Sequence, residues 1–403
     1  MPRLKVLICG GGCAGPALAF WLARSGHDIT IIERHTALRA SGAQIDLRAQ
    51  GIEVVRRMGL LDAVRAQRVD EDGVSMVDTH GRVLGKIGAN TTGKGAQTAT
   101  SEYEIMRGDL EGVRYVFGVT VEGFEQDDGD DGGVVVRLSD GTAERYDLLV
   151  GADGQGSRIR RAMMPAVAPD PVCSLGMYMA YFFIPRIESD TKTRSTYAAP
   201  GSRMMMRRTH SPTESQAYFI LKDSDPELRS LPRAPVDVQK AFWTQRFQDA
   251  GWQAERFTAA MASTENFYCH EVAQIKIASW HRGRVVLLAD AAHCPSPFTA
   301  MGTTSAFVGA YVLAGELEAS GGDVVRALEK YESTLRPFVE EIQKLNTSLV
   351  RLAYPQTVLG VRILQLIFAV VSFLRIPQLI ARFSDGDKGG WRLPEYPMLR
   401  KGR

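Results

Sequence analysis

The sequence predicts an α/β protein. A Rossmann-like parallel-sheet unit is discontinuous in the chain, an antiparallel-sheet domain is inserted within it, and helices close the C-terminus. Three observations carry this reading. The N-terminal segment up to Glu33 reads strand, glycine cluster, helix, strand, the order of a βαβ unit. Residues from about 166 to 274 are rich in Tyr, Phe, Met and Thr with alternating stretches, as in antiparallel strands. At Arg284–Leu288 (RVVLL) buried-strand composition returns, and helical patterns then run to about residue 383.

Each element has its own signal. Leu4–Cys9 is a compact apolar run, suited to a buried parallel strand. Pro16–Arg24 has Leu18, Trp21 and Leu22 at helical spacing, and Asp28–Glu33 (DITIIE) is a second strand. Leu47–Leu61 reads as one helix. Val113–Gln126 alternates as a strand, and Val134–Leu138 pairs with it across the acidic turn DDGDDGG, a solvated hairpin tip. Asp147–Val150 is a short buried strand. Met177–Ile184 and Ala217–Leu221 are strands of the inserted domain. The last 20 residues, with Gly386, Gly389, Gly390, Pro394 and Pro397, read as a loose tail. The expected division is 1–165 with 275–350 for the cofactor-binding unit, 166–274 for the β-rich substrate domain, and 351–403 for C-terminal helices and tail.

Composition narrows the class. At 403 residues the chain is long enough for two domains. Apolar residues make up 45% and charged residues 23%, an ordinary globular balance. A net charge of +2 argues against nucleic-acid binding driven by bulk charge. The five cysteines (Cys9, Cys13, Cys173, Cys269, Cys294) are an odd number at low density with no CxxC, which argues against a disulfide framework or a zinc site. A reducing, cytoplasmic setting is expected, and the N-terminus has no leader-like segment. Ile363–Leu374 is too short to span a bilayer and reads as a buried or interface helix, with peripheral membrane contact as the second reading.

Gly10-x-Gly12-x-x-Gly15 lies between strand and helix. Such glycines allow a tight turn, close backbone approach and close helix packing, and the helix N-terminus supports a pyrophosphate. Glu33 follows Gly15 by 18 residues, at the end of the second strand, placed to accept from a ribose. Arg34 directly after it favours FAD over NADP in this slot. Two further motifs follow: Asp153-Gly154-x-x-Ser157-x-x-Arg160, and Asp290-Ala291-Ala292-His293 with Pro297 and Gly302.

With Arg107 in EIMRGDL, these motifs resemble, in order and over nearly the whole chain, the group A FAD-dependent aromatic hydroxylases. This is the para-hydroxybenzoate hydroxylase class, in its tetracycline-hydroxylase-like and fungal polyketide monooxygenase branch. The resemblance implies FAD as cofactor and an NAD(P)H monooxygenase of secondary metabolism. NADPH or NADH would bind transiently, O2 would form a C4a-hydroperoxyflavin, and an aromatic or polycyclic phenolic substrate would be hydroxylated. Alternatives on the same scaffold are Baeyer–Villiger or oxidase chemistry, or a catalytically impaired FAD-binding variant. The resemblance places Arg107 near the ribityl chain, Asp153 by FAD and the nicotinamide, Asp290 on ribityl hydroxyls, and Gly42, Ala43 and Gln44 on a mobile flavin loop. Pro297 to Thr304 would bring backbone N–H groups towards the isoalloxazine. His293 is expected to pack rather than to act as acid or base, and Cys294 to be inert. No universal catalytic side chain exists in the class, because the flavin does the chemistry.

Three departures stand out. Ala289 and Ala300 replace glycines of the pattern, and a positive φ at either would cost roughly 1–2 kcal/mol. Third, the family arginine opens a helix of about three turns; here Arg107-Gly-Asp-Leu110 runs almost directly into Glu111-Gly112-Val113. In the inserted domain, Met204, Met205, Met206, Tyr178, Tyr181, Phe182 and Phe219 are candidates for an apolar pocket.

Overall fold

A computed structural model describes residues 2–37, 47–66, 71–88, 113–127, 132–165, 167–376 and 390–400. Its centre is a six-stranded sheet in the order β15-β16-β9-β1-β2-β5. These are β1 (Lys5–Cys9), β2 (Asp28–Glu33), β5 (Val113–Phe117), β9 (Leu148–Gly151), β15 (His281–Arg282) and β16 (Val285–Leu287). All are parallel except the β15 edge. The central runs of β1, β9 and β16 are buried almost throughout, as a sheet covered on both faces requires, while the edge strands β5 and β15 are partly exposed. One face carries α1 (Ala14–Arg24), α2 (Ala49–Arg57), α8 (Gly302–Ala319) and α9 (Val324–Ile342). On the other face lies an antiparallel meander of β6 (Val121–Gln126), β7 (Val134–Leu138) and β8 (Ala143–Tyr146), whose Val134, Val136 and Tyr146 join the same core.

The second sheet has seven strands, ordered β14-β10-β13-β12-β11-β3-β4. They are β3 (Gly73–Val77), β4 (Val83–Gly88), β10 (Val172–Pro185), β11 (Arg194–Ala199), β12 (Arg203–Thr209), β13 (Glu214–Lys222) and β14 (Phe267–Ile275). Only the β11–β3 pair is parallel. Alternation along β10 sorts its two faces. Tyr178, Ala180 and Phe182 enter a core closed by α5 (Val236–Phe247) and α6 (Ala254–Ser263). Met177, Met179 and Tyr181 point the other way, towards Phe298 and Tyr354. Between the sheets' motifs lie α4 (Arg158–Met163) and α7 (Asp290–His293), while α10 (Thr347–Leu352), α11 (Val358–Phe373) and α12 (Pro397–Arg400) follow α9.

Several expectations are corrected. Val113–Gln126 is not one strand. Gly118, at φ 74°, breaks it, and its N–H donates to His35 O (3.0 Å). The first half therefore extends the parallel sheet and the second half pairs with β7. The helix read over Leu47–Leu61 ends at Arg57, because Gly59 takes φ 76°; α3 (Leu61–Ala66) starts anew. Residues 73–88, read with the N-terminal unit, are strands of the second sheet, held by backbone pairing to β11. Of the tail, residues 390–400 are described, and this part docks rather than hanging loose: Tyr396 and Leu399 are buried in the first core, against Gly315 of α8 in the case of Tyr396.

Candidate cofactor site

Leu287, Gly151, Cys9 and Ile32 stand in register across four adjacent parallel strands. The chain just beyond this row carries, strand by strand, Asp290, Asp153, the Gly10–Gly15 turn and Glu33. The motifs thus meet along one edge of one sheet, at the carboxyl ends of its strands, where open α/β sheets bind ligands.

Each glycine of the first turn has a different reason. Gly10 takes φ 120°, and a methyl group there would stand 2.3 Å from Ala152 O. One on Gly15 would stand 2.1 Å from Gly10 O, so this glycine lets α1 close onto the strand end. One on Gly12 would meet nothing within 4 Å: that glycine borders open space. Cys13 stands at the N-cap of α1 and makes no side-chain capping hydrogen bond to the first turn. Glu33 accepts from Gly11 N–H (2.9 Å) and His35 N–H (3.1 Å), which fixes its carboxylate over the turn. Arg34 is exposed and its Nε donates to His35 Nε2 (3.1 Å).

Asp153 Oδ2 accepts from Arg158 N–H (2.7 Å) at the start of α4, while its Oδ1 is buried with no partner among the described residues. Ser157 accepts from Arg160 N–H (2.9 Å). Arg160 is buried and donates to Gln155 O (2.5 Å) and Ala291 O (2.8 Å), tying the Asp153 loop to α7. Gln155 Nε2 donates to Glu271 O (3.0 Å) in β14, tying the same loop to the second sheet. Asp290 opens α7 half-buried, and burial pushes its carboxyl above the usual range.

The approach to α8 is strained. Ala289 (φ 55°, ψ −130°), Ser296 (φ 81°) and Ala300 (φ 52°) all hold positive φ. The two alanines that replace glycines therefore keep a glycine-like backbone. Pro297 is exposed and starts a short 3₁₀ turn, and Gly302 opens α8, whose start has no side-chain cap. Thr304 Oγ1 accepts from Arg48 N–H (2.8 Å), clasping the start of α2 to α8.

His293 packs, as expected: it is 1% exposed, shares a hydrogen bond with Ser305 Oγ (3.1 Å), and burial lowers it to about 3. Cys294 is buried, and burial raises its thiol well above the usual value. Arg107, Gly42, Ala43, Gln44 and the shortened link after Leu110 lie outside the described residues.

The pocket candidates of the inserted domain divide. Met204, Met206 and Tyr181 lie on the face that meets Phe298; Tyr178, Phe182, Phe219 and Met205 belong to the core under α5 and α6. Composition alone could not separate them, although the period of two could have. Sequence reasoning also missed Tyr354, Tyr218 and Phe298 on that front face, which sequence-distant segments bring together.

The profile of the FAD binding domain family matches residues 3–345. The chain is 39% identical to the FAD-dependent monooxygenase asL4 of Sarocladium schorii, with all of both chains covered. That alignment runs to 435 positions, so asL4 carries residues that this 403-residue chain lacks. The flavin-dependent monooxygenase eupH of Phoma sp is also 39% identical, with 91% of each chain covered. Among solved structures, the tetracycline destructase Tet(51) superposes with a TM-score of 0.79 at 30% identity, covering 98% of this chain and 100% of its own. With its motifs gathered on one sheet edge and these relatives along its whole length, the chain belongs to the FAD-binding-domain family, among its flavin-dependent monooxygenases.

Proposed function

We propose that this protein is an FAD-dependent monooxygenase that hydroxylates an aromatic or polycyclic phenolic, polyketide-like small molecule. NADPH or NADH serves as transient co-substrate, O2 as oxidant, and the setting is cytoplasmic. The alignment of Asp290, Asp153, the Gly10–Gly15 turn and Glu33 along adjacent strand ends carries the reading. The residues fit a dinucleotide on two further counts: Asp153 Oδ1 is a buried acceptor without a donor among the described residues, and Gly12 meets no described atom where a side chain would stand, at the start of α1.

Bound FAD supplies the oxygen activation; the chain binds, orients and shields. Gly10, Gly12, Gly15 and the N-terminus of α1 hold the pyrophosphate, through backbone N–H groups and the helix dipole. Glu33 accepts from the adenosine ribose, with exposed Arg34 at the rim. Asp153 and Asp290 would take hydroxyl donors of the cofactor, and Arg107, Gly42 and Ala43 are proposed to contribute to the same cofactor's binding. Pro297 to Gly302 would present the first N–H groups of α8 to the flavin, where such donors would stabilise negative charge. Phe298 and the Met–Tyr face of the second sheet keep water out and orient an aromatic ring.

The visible spectrum of the purified chain, titrated with FAD, tests the first half. A retained flavin band is expected, and Glu33→Ala should weaken FAD binding about tenfold or more through a lost charge-assisted bond. Oxygen-dependent NADPH or NADH oxidation, stimulated by a polycyclic phenol that gains one oxygen, tests the second. A folded chain that never takes up FAD sinks the reading, whereas FAD uptake with no oxygenated product among phenols sinks the hydroxylase assignment.

A further inference from the structure

Helix α11 is apolar on two opposite sides. One side is occupied: Val361 is buried, and Phe368 and Ser372 lie against Gly85 of β4, where a methyl group would stand 3.0 Å from Ser372 Cβ. Ser372 Oγ also donates to Lys86 O (2.7 Å) and accepts from Lys86 N–H (2.8 Å), which fixes the helix to the strand. At 100° per residue these contacts fall on one side of the helix. Leu359, Ile363, Leu366, Ile367, Val370 and Phe373 fall on the other, and all are exposed, Leu366 by 65% and Phe373 by 85%. The expectation of a buried helix therefore holds for half its circumference only. A helix that is apolar all round is normally covered all round, and a contiguous exposed stripe of this kind marks an interaction surface.

Charge indicates what covers it. No acidic residue occurs from Val358 to Ile376; the only charges are Arg362 and Arg375, both exposed. A second copy of the chain would bring these cations to a partner helix that offers no carboxylate. An anionic lipid surface complements both the stripe and its cations. With 16 residues the helix is about 24 Å long, and no described helix is long and apolar enough to cross a membrane. Its inner side is held on the sheet, so it can meet lipid only lying flat.

We propose that α11 seats the protein on an anionic bilayer surface, its outer stripe in the interface and Arg362 and Arg375 at the headgroups. The FAD-loaded full chain, sedimented with vesicles of phosphatidylcholine alone or with phosphatidylserine, tests this. Binding to phosphatidylserine vesicles is expected. Leu366→Asp with Phe373→Ser should abolish it, and Arg362→Glu with Arg375→Glu should weaken it about tenfold or more. Both pairs alter exposed side chains, so circular dichroism and flavin retention should be unchanged. The proposal is overturned if the chain pellets no better with phosphatidylserine vesicles than with neutral ones or none. It is equally overturned if light scattering finds a dimer that Leu366→Asp converts to monomers, which assigns the stripe to a second copy.

Discussion

Ala289 and Ala300 hold backbone conformations that glycine adopts freely and alanine does not. Their strain, of order 1–3 kcal/mol each, is sustained by neighbours. Leu288 N–H is fixed to Gly151 O (2.9 Å) before the first, and Ala300 N–H to Pro297 O (3.1 Å) at the second. Glycine would relieve the strain but widen the unfolded ensemble, an offset of about 0.4–1 kcal/mol. Ala289→Gly and Ala300→Gly should therefore each stabilise the protein by about 0.5–1.5 kcal/mol. Urea unfolding of the single variants and the pair checks this. Destabilisation by either would mean that the methyl group's packing outweighs its backbone cost.

At the scale of elements, the C-terminal segment behaves as part of the first core. Tyr396 fills the space above Gly315, where a methyl group on that glycine would stand 2.2 Å from its ring. Its hydroxyl donates to Glu316 Oε1 (2.6 Å), and Arg57 reaches Glu395 Oε1 (2.7 Å) from α2. The glycines and prolines of the last 20 residues suggested a loose tail, but Tyr396 and Leu399 anchor its described part, residues 390–400. Tyr396→Ala should cost about 3–5 kcal/mol, as for other buried aromatics. Thermal unfolding of the variant measures the loss, and a cost under about 1 kcal/mol would show the segment to be peripheral. The same scale explains the split of Val113–Gln126: alternation specified strand, while Gly118 decided that its halves join different sheets.

For the whole molecule, acid stability has a definite sign. His293 titrates near 3 in the folded chain because burial disfavours its charged form, against about 6.5 when unfolded. Between those values the unfolded chain holds the extra proton. Stability is thus unaffected by this group above about pH 6.5 and falls below it, by up to ~1.4 kcal/mol per pH unit. His293→Gln should remove roughly 2 kcal/mol of the loss between pH 7 and 5, read from denaturation midpoints at both values. An unchanged pH slope would exonerate the histidine.

The sequence by itself determined the βαβ start, the three motifs in order, and the parallel and antiparallel character of the two sheets. These are local matters: apolar runs, a period of two, and glycines that only certain turns require. Tertiary structure alone decided what the motifs do together. It placed Asp290, Asp153, the glycine turn and Glu33 on neighbouring strand ends, and it made Arg160 the link between two motifs 131 residues apart. It sent Met204 and Met206 to one face and Met205 to the other, and recruited β3 and β4 into the distant sheet. It also left one side of α11 uncovered. The reason is physical: hydropathy records that a side chain prefers burial, whereas strand order and backbone pairing decide which neighbour, if any, buries it.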